Sequence, residues 1–312
     1  MTIRPVSAFG SVLRGDTLFG QLCWAARYRQ GEAGLRALLA GYTQGAPFLV
    51  VSDAFPAGHL PRPELPPRFW PQAVKPEERK QWKRRRYLPA SVFARPLAAG
   101  LEAAAAEAPP PRPFSPQSQA HNSIRRDTAT TGEGDFAPYQ LEQLWPAPGL
   151  RLDLHLVHDP VRLPLADLLA LLTDVGATGY GRDGSLGLGR FEIEAHCGGR
   201  PSAISGANAW MTLAPTAPQG QAWHEERCFY RPFTRFGRHG GIGALMRPFK
   251  TPVLLMDTGA VLTPATPDFK RYVMGIGLGG GGELSQVIPE TVHQGYAPVM
   301  PVLLDESGGY GP

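Results

Sequence analysis

Apolar residues recur at two periods along this chain, and the switching between them predicts its first elements. Residues 2–7 read as extended. Behind Asp16, a good N-cap residue, Leu18, Phe19, Leu22, Cys23 and Ala26 fall at helical spacing, and Gly31 closes that helix. Leu35, Leu38, Leu39 and Tyr42 give a short helical turn, and residues 48–52, bounded by Pro47 and Asp53, read as a buried strand. Alternation returns only at Leu150, Leu152, Leu154 and Leu156, with Arg151, Asp153 and His155 between them. Pro164 then stands where a first helical residue belongs, Leu165, Leu168, Leu169 and Leu172 form a stripe, and Gly176 ends it. Residues 190–195 alternate again, with Phe191, Ile193 and Ala195 on one side. The order is βαβ, a long insertion, then βαβ: an α+β pattern of ferredoxin-like or RNA-recognition type with its middle connection expanded.

The first domain therefore spans residues 1–205, with the insertion at about 55–149, and a second occupies 206–312. That second part is harder to read. Strands are expected at 209–213, 252–256 and 298–303, with no strong helix, so it is a helix-poor α+β domain. Trp210, Phe229, Tyr230 and Phe233 look like surface that a partner would cover. Gly and Pro, 37 and 33 of 312 residues, make up roughly 22% of the chain against about 12% in ordinary proteins, which favours turns over long helices. No run approaches 18 apolar residues and the amino terminus lacks a signal-peptide pattern, so a soluble, cytoplasmic protein with no membrane partner is expected. Cys23, Cys197 and Cys228 form no CxxC pair; neither a disulfide framework nor a metal or other cofactor site is indicated.

Charge changes the picture more. The chain carries only +4 overall, yet residues 75–95 hold eight Lys/Arg against two Glu, and a polyanion becomes a candidate partner. Within that run WKRRRYLP sets Trp82 and Tyr87 on either side of Lys83, Arg84, Arg85 and Arg86. The two aromatics either stack on bases beside phosphates or pin the insertion to the core. Residues 176–189 hold six glycines in fourteen positions. A literal GxGxxG occurs at Gly179, Gly181 and Gly184, but it follows a helix and precedes a strand, the reverse of a dinucleotide site. A second match at Gly275, Gly277 and Gly280 has no helix after it, so a nucleotide-dependent oxidoreductase is disfavoured. Such a loop can instead bring backbone N–H groups to a phosphodiester, with Gly187 and Gly189 extending it and Arg182 and Arg190 neutralising charge. Catalytic patterns are mostly absent: there is no HExxH and no P-loop, and Ser185 in DGSLG misses the nucleophile elbow. His155 and His158 lack metal-ligand spacing. His239, between Arg235 and Arg238 and two glycines, suits a phosphate contact or a general base.

Four segments, read together, resemble a known family. SAFGSVLRGDTLFGQLCWAAR, HNSIRRDTATTGEGDF, the glycine loop, and RFGRHGG followed by FKTPVLLMDTGAVL are similar to the RAMP-superfamily subunit of type III-A CRISPR (Csm) effectors that caps the crRNA 5′ end. The match runs in order over almost the whole chain, and GDTLFGQLCWA is its most specific piece. The resemblance implies two tandem ferredoxin-like (RRM-like) domains, the second degenerate, and a thumb-like insertion that wedges between nucleotides. It also implies binding of the crRNA 5′ tag, docking onto the large polymerase-like subunit and the backbone RAMP subunit, and no nuclease activity. By matching position, Arg14, Gly15 and Asp16, the insertion residues His121, Asn122, Arg126 and Thr128, and the glycine loop would line the RNA site. The competing reading is a metal-independent RAMP endonuclease using His239 or His121 as acid or base.

Overall fold

In the computed structural model, which describes residues 1–110, 112–199, 204–241, 243–266, 268–269 and 271–305, β1 (Thr2–Pro5) leads into α1 (Gly15–Leu39). The helix starts one residue before the expected cap. Asp16 lies inside the first turn, and the free N–H of Gly15 is met from outside, by the Asp53 carboxylate at 2.8 Å. Gly31, at φ 73°, breaks the helix where the period broke, and the remaining turns continue past the bend.

β2 (Leu49–Val51) and β3 (Phe55–Pro56) follow, and after the insertion come β8 (Leu152–Asp153), β9 (Leu156–His158), α4 (Leu165–Thr178) and β10 (Phe191–Ala195). β1 pairs antiparallel with β10 on one side and β8 on the other, β8 pairs with β3, and β9 pairs with β2. With residues 49–56 and 152–158 each taken as one interrupted strand, the order is fourth, first, third, second. Leu18, Phe19, Leu22, Leu168, Leu171, Leu172 and Val175 from the two helices close one core with Ile3, Val50, Leu152 and Phe191. Gly176 does not end α4. It sits inside the helix, where a Cβ would come 2.3 Å from the Phe191 carbonyl oxygen, so it permits helix and strand to touch; Gly179, at φ 101°, ends the helix instead.

The insertion expected as one thumb divides in two. Its first part holds β4 (His59–Pro61), α2 (Arg79–Arg84), β5 (Tyr87–Pro89) and α3 (Leu97–Ala106), the last formed by the Ala-rich stretch that reads as low complexity. This part is core. Trp82, Val92, Phe93, Leu97, Leu101 and Ala104 pack against Ala209, Met211, Val261 and Val302 of the second half. Only the second part projects, as an antiparallel hairpin of two eight-residue strands, β6 (Phe114–His121) and β7 (Tyr139–Pro146).

Beyond it lie β11 (Ala209–Thr212), β12 (Pro232–Arg235), α5 (Gly243–Met246), β13 (Val253–Met256), β14 (Val261–Leu262), β15 (Val273–Gly275), β16 (Leu278–Gly279), β17 (Val292–His293) and β18 (Tyr296–Val302). The main sheet runs β14-β11-β18-β15, and reciprocal hydrogen bonds between Phe229 and Val261 lay the segment around 229 beside β14. Among the described residues no helix of this half exceeds the four residues of α5. Alternation along β11 splits its two faces: Ala209 and Met211 meet α3, while Trp210 turns the other way against Trp223 and Phe269. Trp210 is thus wholly buried rather than awaiting a cover, because its own chain supplies one on each face. No helix among the described residues is long and apolar enough to cross a membrane.

Candidate nucleic-acid interface

A groove of about 950 Å³ opens where the first sheet, the insertion and the second half meet. Its walls bring together Arg14, Lys83, Arg84, Arg85 and Arg86, five of the residues the sequence singled out, with Arg62, Arg112 and Arg231, which it did not. Three carboxylates, Asp53, Glu64 and Asp257, face these eight cations, and Phe114 and Leu144 from the base of the hairpin form one side. The missed arginines are scattered singles in Pro-rich sequence, and no local pattern distinguishes them.

The cations are not equivalent. Arg14 Nη1 lies 2.7 Å from Asp257 and 3.1 Å from Asp53, and Arg231 pairs with the other oxygen of Asp257 at 2.7 Å. Burial disfavours the Arg14 cation, but the two carboxylates outweigh it and raise it above its ordinary value. Burial likewise opposes ionisation of Asp257, yet Arg14 and Arg231 hold it below the usual carboxylate range. Asp53 is pushed up to about 6 by burial despite Arg14, the Thr258 hydroxyl and the Gly15 N–H. This cluster fastens the start of α1 to the second half. Arg85 is also occupied: it donates to the carbonyls of Ala104 at 2.6 Å and Glu107 at 2.8 Å, closing the end of α3. Arg62 donates to the Arg85 carbonyl at 3.0 Å. That leaves Lys83, Arg84, Arg86 and Arg112 as exposed groove cations outside any ion pair of the described residues. Trp82 is buried in the core and pins the insertion, as the second of its two readings has it; Tyr87 stays half-exposed on the groove wall beside Phe55.

The hairpin carries its chemistry at the tip. His121 stacks on Tyr139 with ring centroids 5.4 Å apart, Arg125 lies over Phe136, and the hydroxyls of Thr128 and Thr130 bond each other at 2.9 Å. Asn122, Arg126 and Thr128 are exposed, and Ile124, 61% exposed, is an apolar point at the end of a polar arm.

The glycine loop reaches the hairpin through Arg182, which donates to the Glu142 carbonyl at 2.7 Å. Its glycines answer first to the protein itself. A Cβ at Gly179 would meet the Leu188 carbonyl oxygen at 2.3 Å, at Gly181 the Ser11 hydroxyl at 2.4 Å, at Gly184 the Gly179 carbonyl oxygen at 2.8 Å and at Gly189 the Tyr180 carbonyl oxygen at 2.1 Å. Buried Tyr180 holds the loop to the start of α1, accepting from the Arg14 N–H at 2.8 Å and donating to the Val12 carbonyl at 3.1 Å. Gly187, at φ 89°, is the loop glycine whose missing Cβ would point into open space. Around it Arg182, Ser185 and Arg190 are exposed.

Four expected contacts, Gly15, Asp16, Arg235 and His239, are placed elsewhere. Asp16 is buried and binds Arg235 at 2.6 Å, with His293 Nε2 at 3.5 Å. Burial pushes its carboxyl up, but His293 and Arg235 more than offset that and hold it at about 2. Arg235 is thereby spent on the fold. His239 is buried, with burial and Lys250 pushing its pKa down, while Arg238 is exposed and lies over Phe249. Gly15 is buried against the Ser52 backbone. Sequence spacing separates buried from exposed along one helix, but it does not show which charge a distant strand will claim.

The fold that carries this groove, with its projecting hairpin and glycine-rich turn, is similar to that of solved subunits of type III-A CRISPR complexes. Solved structures of Csm4 have this fold. The chain superposes on one in a crystal structure of a Csm1-Csm4 cassette in complex with cA4, with a TM-score of 0.60, 17% identity and 98% of each chain covered. A Csm1-Csm4 cassette in complex with pppApA gives 0.58 at 18% identity, again over 98% of each chain. The Csm3-Csm4 subcomplex of the type III-A CRISPR-Cas interference complex gives 0.54 at 13%, over 96% of this chain and 99% of that one. No family model and no curated protein matches the sequence.

Proposed function

We propose that this chain is a guide-binding subunit of a type III-A CRISPR interference complex, acting in the cytoplasm, which holds the 5′ repeat-derived tag of the crRNA and docks a large polymerase-like subunit and a backbone subunit. The observation that carries this reading is the basic groove at the root of the hairpin, in a chain that shares the Csm4 fold from end to end. A phosphodiester backbone suits Lys83, Arg84, Arg86 and Arg112, and the hairpin tip offers Ile124, His121 and Asn122 to the nucleotides beyond. Exposed Ser185 and Arg190 of the glycine turn offer a second phosphate contact beside Gly187, while Arg182, paired with Asp183, ties the turn to the hairpin. In the same reading both halves are ferredoxin-like. The second is degenerate: its strands keep the fourth, first, third, second order when the segment at 229 is counted and β15 is set aside as an added edge strand beyond β18, while α3 takes the place of its helices.

The chain itself performs no chemistry in this reading. Of the two histidines either of which an endonuclease would use as acid or base, His121 is stacked on Tyr139 at the hairpin tip and His239 is buried. The test is binding of a fluorescent guide RNA with and without its 5′ tag, followed by incubation with repeat RNA in EDTA. Tighter binding of the tagged guide and intact repeat RNA are expected. Equal binding of both guides would overturn the capping role, and repeat cleavage lost in His239→Ala or His121→Ala would establish the endonuclease.

A further inference from the structure

From residue 228 to 256 the sequence contains no Asp or Glu, but it has Arg231, Arg235, Arg238, Arg247 and Lys250. This stretch forms a finger whose strands extend beyond β12 and β13: Arg238 bridges Phe249, His239 N–H bonds the Pro248 carbonyl and Lys250 N–H the Gly237 carbonyl. Its two faces differ. Phe233 and Leu255 are opposite each other, as are Arg235 and Val253, and this face turns inward, with Arg235 on Asp16. Near the tip, a Cβ at Gly240 or Gly241 would fall within 2.4–2.6 Å of the Trp24 indole, so the finger lies directly on α1. The other face carries the opposed pair Thr234 and Leu254, then Phe236, then the opposed pair Arg238 and Phe249. Phe236, Phe249 and Leu254 are 67%, 63% and 68% exposed, and at the tip Leu245 and Met246 are 86% and 65% exposed.

We propose that this outer face is a protein-docking surface, and that its occupant is the large subunit of the assembly, presenting an apolar patch rimmed by carboxylates. The assignment rests on the reading of the chain as an effector subunit. Five large side chains at these exposures present about 600 Å² of mostly apolar surface, most of the roughly 800 Å² that one partner brings to a standard interface. The chemistry selects among occupants. Leu245, Met246 and Leu254 have no ring on which a base could stack, so the face suits protein rather than RNA. A second copy of the same face would set Arg238 against Arg238 with no acid to compensate, so the partner is a different chain. The finger starts at Arg231 on the groove wall and runs along α1 to Trp24, whereas the hairpin leaves from Phe114 and Leu144 on that groove. A backbone subunit that follows the guide past the hairpin leaves the finger for the large subunit.

The test mixes the full chain with a Csm1-type large subunit from the same source organism and, separately, with the Csm3-type subunit and a tagged guide RNA. The chain is used as wild type, as Phe236→Ser/Leu254→Ser, and as Arg238→Glu, a charge reversal at an exposed site that keeps the fold. Both variants are expected to weaken large-subunit binding at least tenfold, with circular dichroism, guide affinity and Csm3-type binding unchanged. Large-subunit binding at wild-type strength in both variants overturns the proposal. So does a loss of guide affinity or of Csm3-type binding in its place, which makes the face an RNA or backbone surface. A wild-type chain that takes guide RNA and no large subunit overturns this face alone; one that takes neither overturns the functional reading with it.

Discussion

Removing the groove cations that no carboxylate or carbonyl holds, of which Lys83 lies over the Trp70 ring, is the sharpest check on what the groove is for. Lys83, Arg84, Arg86 and Arg112 are exposed on its walls, whereas Arg14, Arg62, Arg85 and Arg231 are tied to carboxylates or carbonyls. Each phosphate contact on a single strand adds about 0.7 to the slope of log affinity against log salt, so four contacts add about 2.8. Between 50 and 200 mM salt that difference alone is worth about a fifty-fold loss of affinity in the wild type that a fourfold alanine variant would not show. Fluorescence anisotropy with a labelled guide over this salt range measures it. The variant should bind more weakly at low salt, with a slope shallower by about 2 to 3, and unfold at the wild-type temperature. A variant that kept both affinity and slope would show that the wall is merely solvated, and the phosphate-track argument would fail.

Four further outcomes follow from named contacts. Asp16→Asn leaves half-buried Arg235 without its anion and should cost about 3 kcal/mol in denaturant unfolding, the low end for a broken buried pair because water still reaches Arg235. Because the folded Asp16 carboxyl is held at about 2, below its unfolded value near 4, the stability it supplies is present above about pH 4 and fades as the pH falls towards 2; the gap between wild type and variant should narrow by about 2.5 kcal/mol over that window. Arg85→Ala frees the end of α3 and should destabilise by about 2 kcal/mol with no change in salt slope beyond that of stability-matched controls. Gly189→Ala, aimed at a carbonyl 2.1 Å away, should lower the unfolding temperature far more than Gly187→Ala, which meets only the left-handed backbone penalty of about 1 kcal/mol. Replacing residues 122–138 by a two-residue turn should leave thermal unfolding near wild type, because the hairpin strands are largely exposed, while weakening guide binding.

The first sheet was legible because its signals are local. The stripe of Leu18, Phe19 and Leu22, the alternation at 150–156 and the break at Gly31 each act within a few residues. The glycine turn is visible in the sequence as a run of glycines, but that Gly179, Gly181 and Gly189 approach Leu188, Ser11 and Tyr180 is a fact of tertiary contact. The same holds for the site. The basic run announced Lys83 to Arg86, yet only the fold shows that Arg85 is consumed by α3 and that Arg14 serves Asp53 and Asp257. The part of the insertion that packs as core, residues 55–106, was hardest, since Ala-rich and Pro-rich sequence looks like linker until the sheet it covers, over a hundred residues later, is in place.

That late pairing has a consequence for how the protein is made. The apolar face of α3 and the side chains of Trp82, Val92 and Phe93 emerge from the ribosome long before β11, Val261 and Val302, which complete their core. At about 5 to 20 residues per second, the roughly 200 residues between them take about 10 to 40 s to synthesise, during which this surface has no native partner. The first sheet closes with β10, but the protein as a whole cannot finish until nearly its last strand is out. Nascent chains stalled before β18 should therefore recruit chaperones through residues 82–104, and the two halves cannot be cut apart into independently stable pieces.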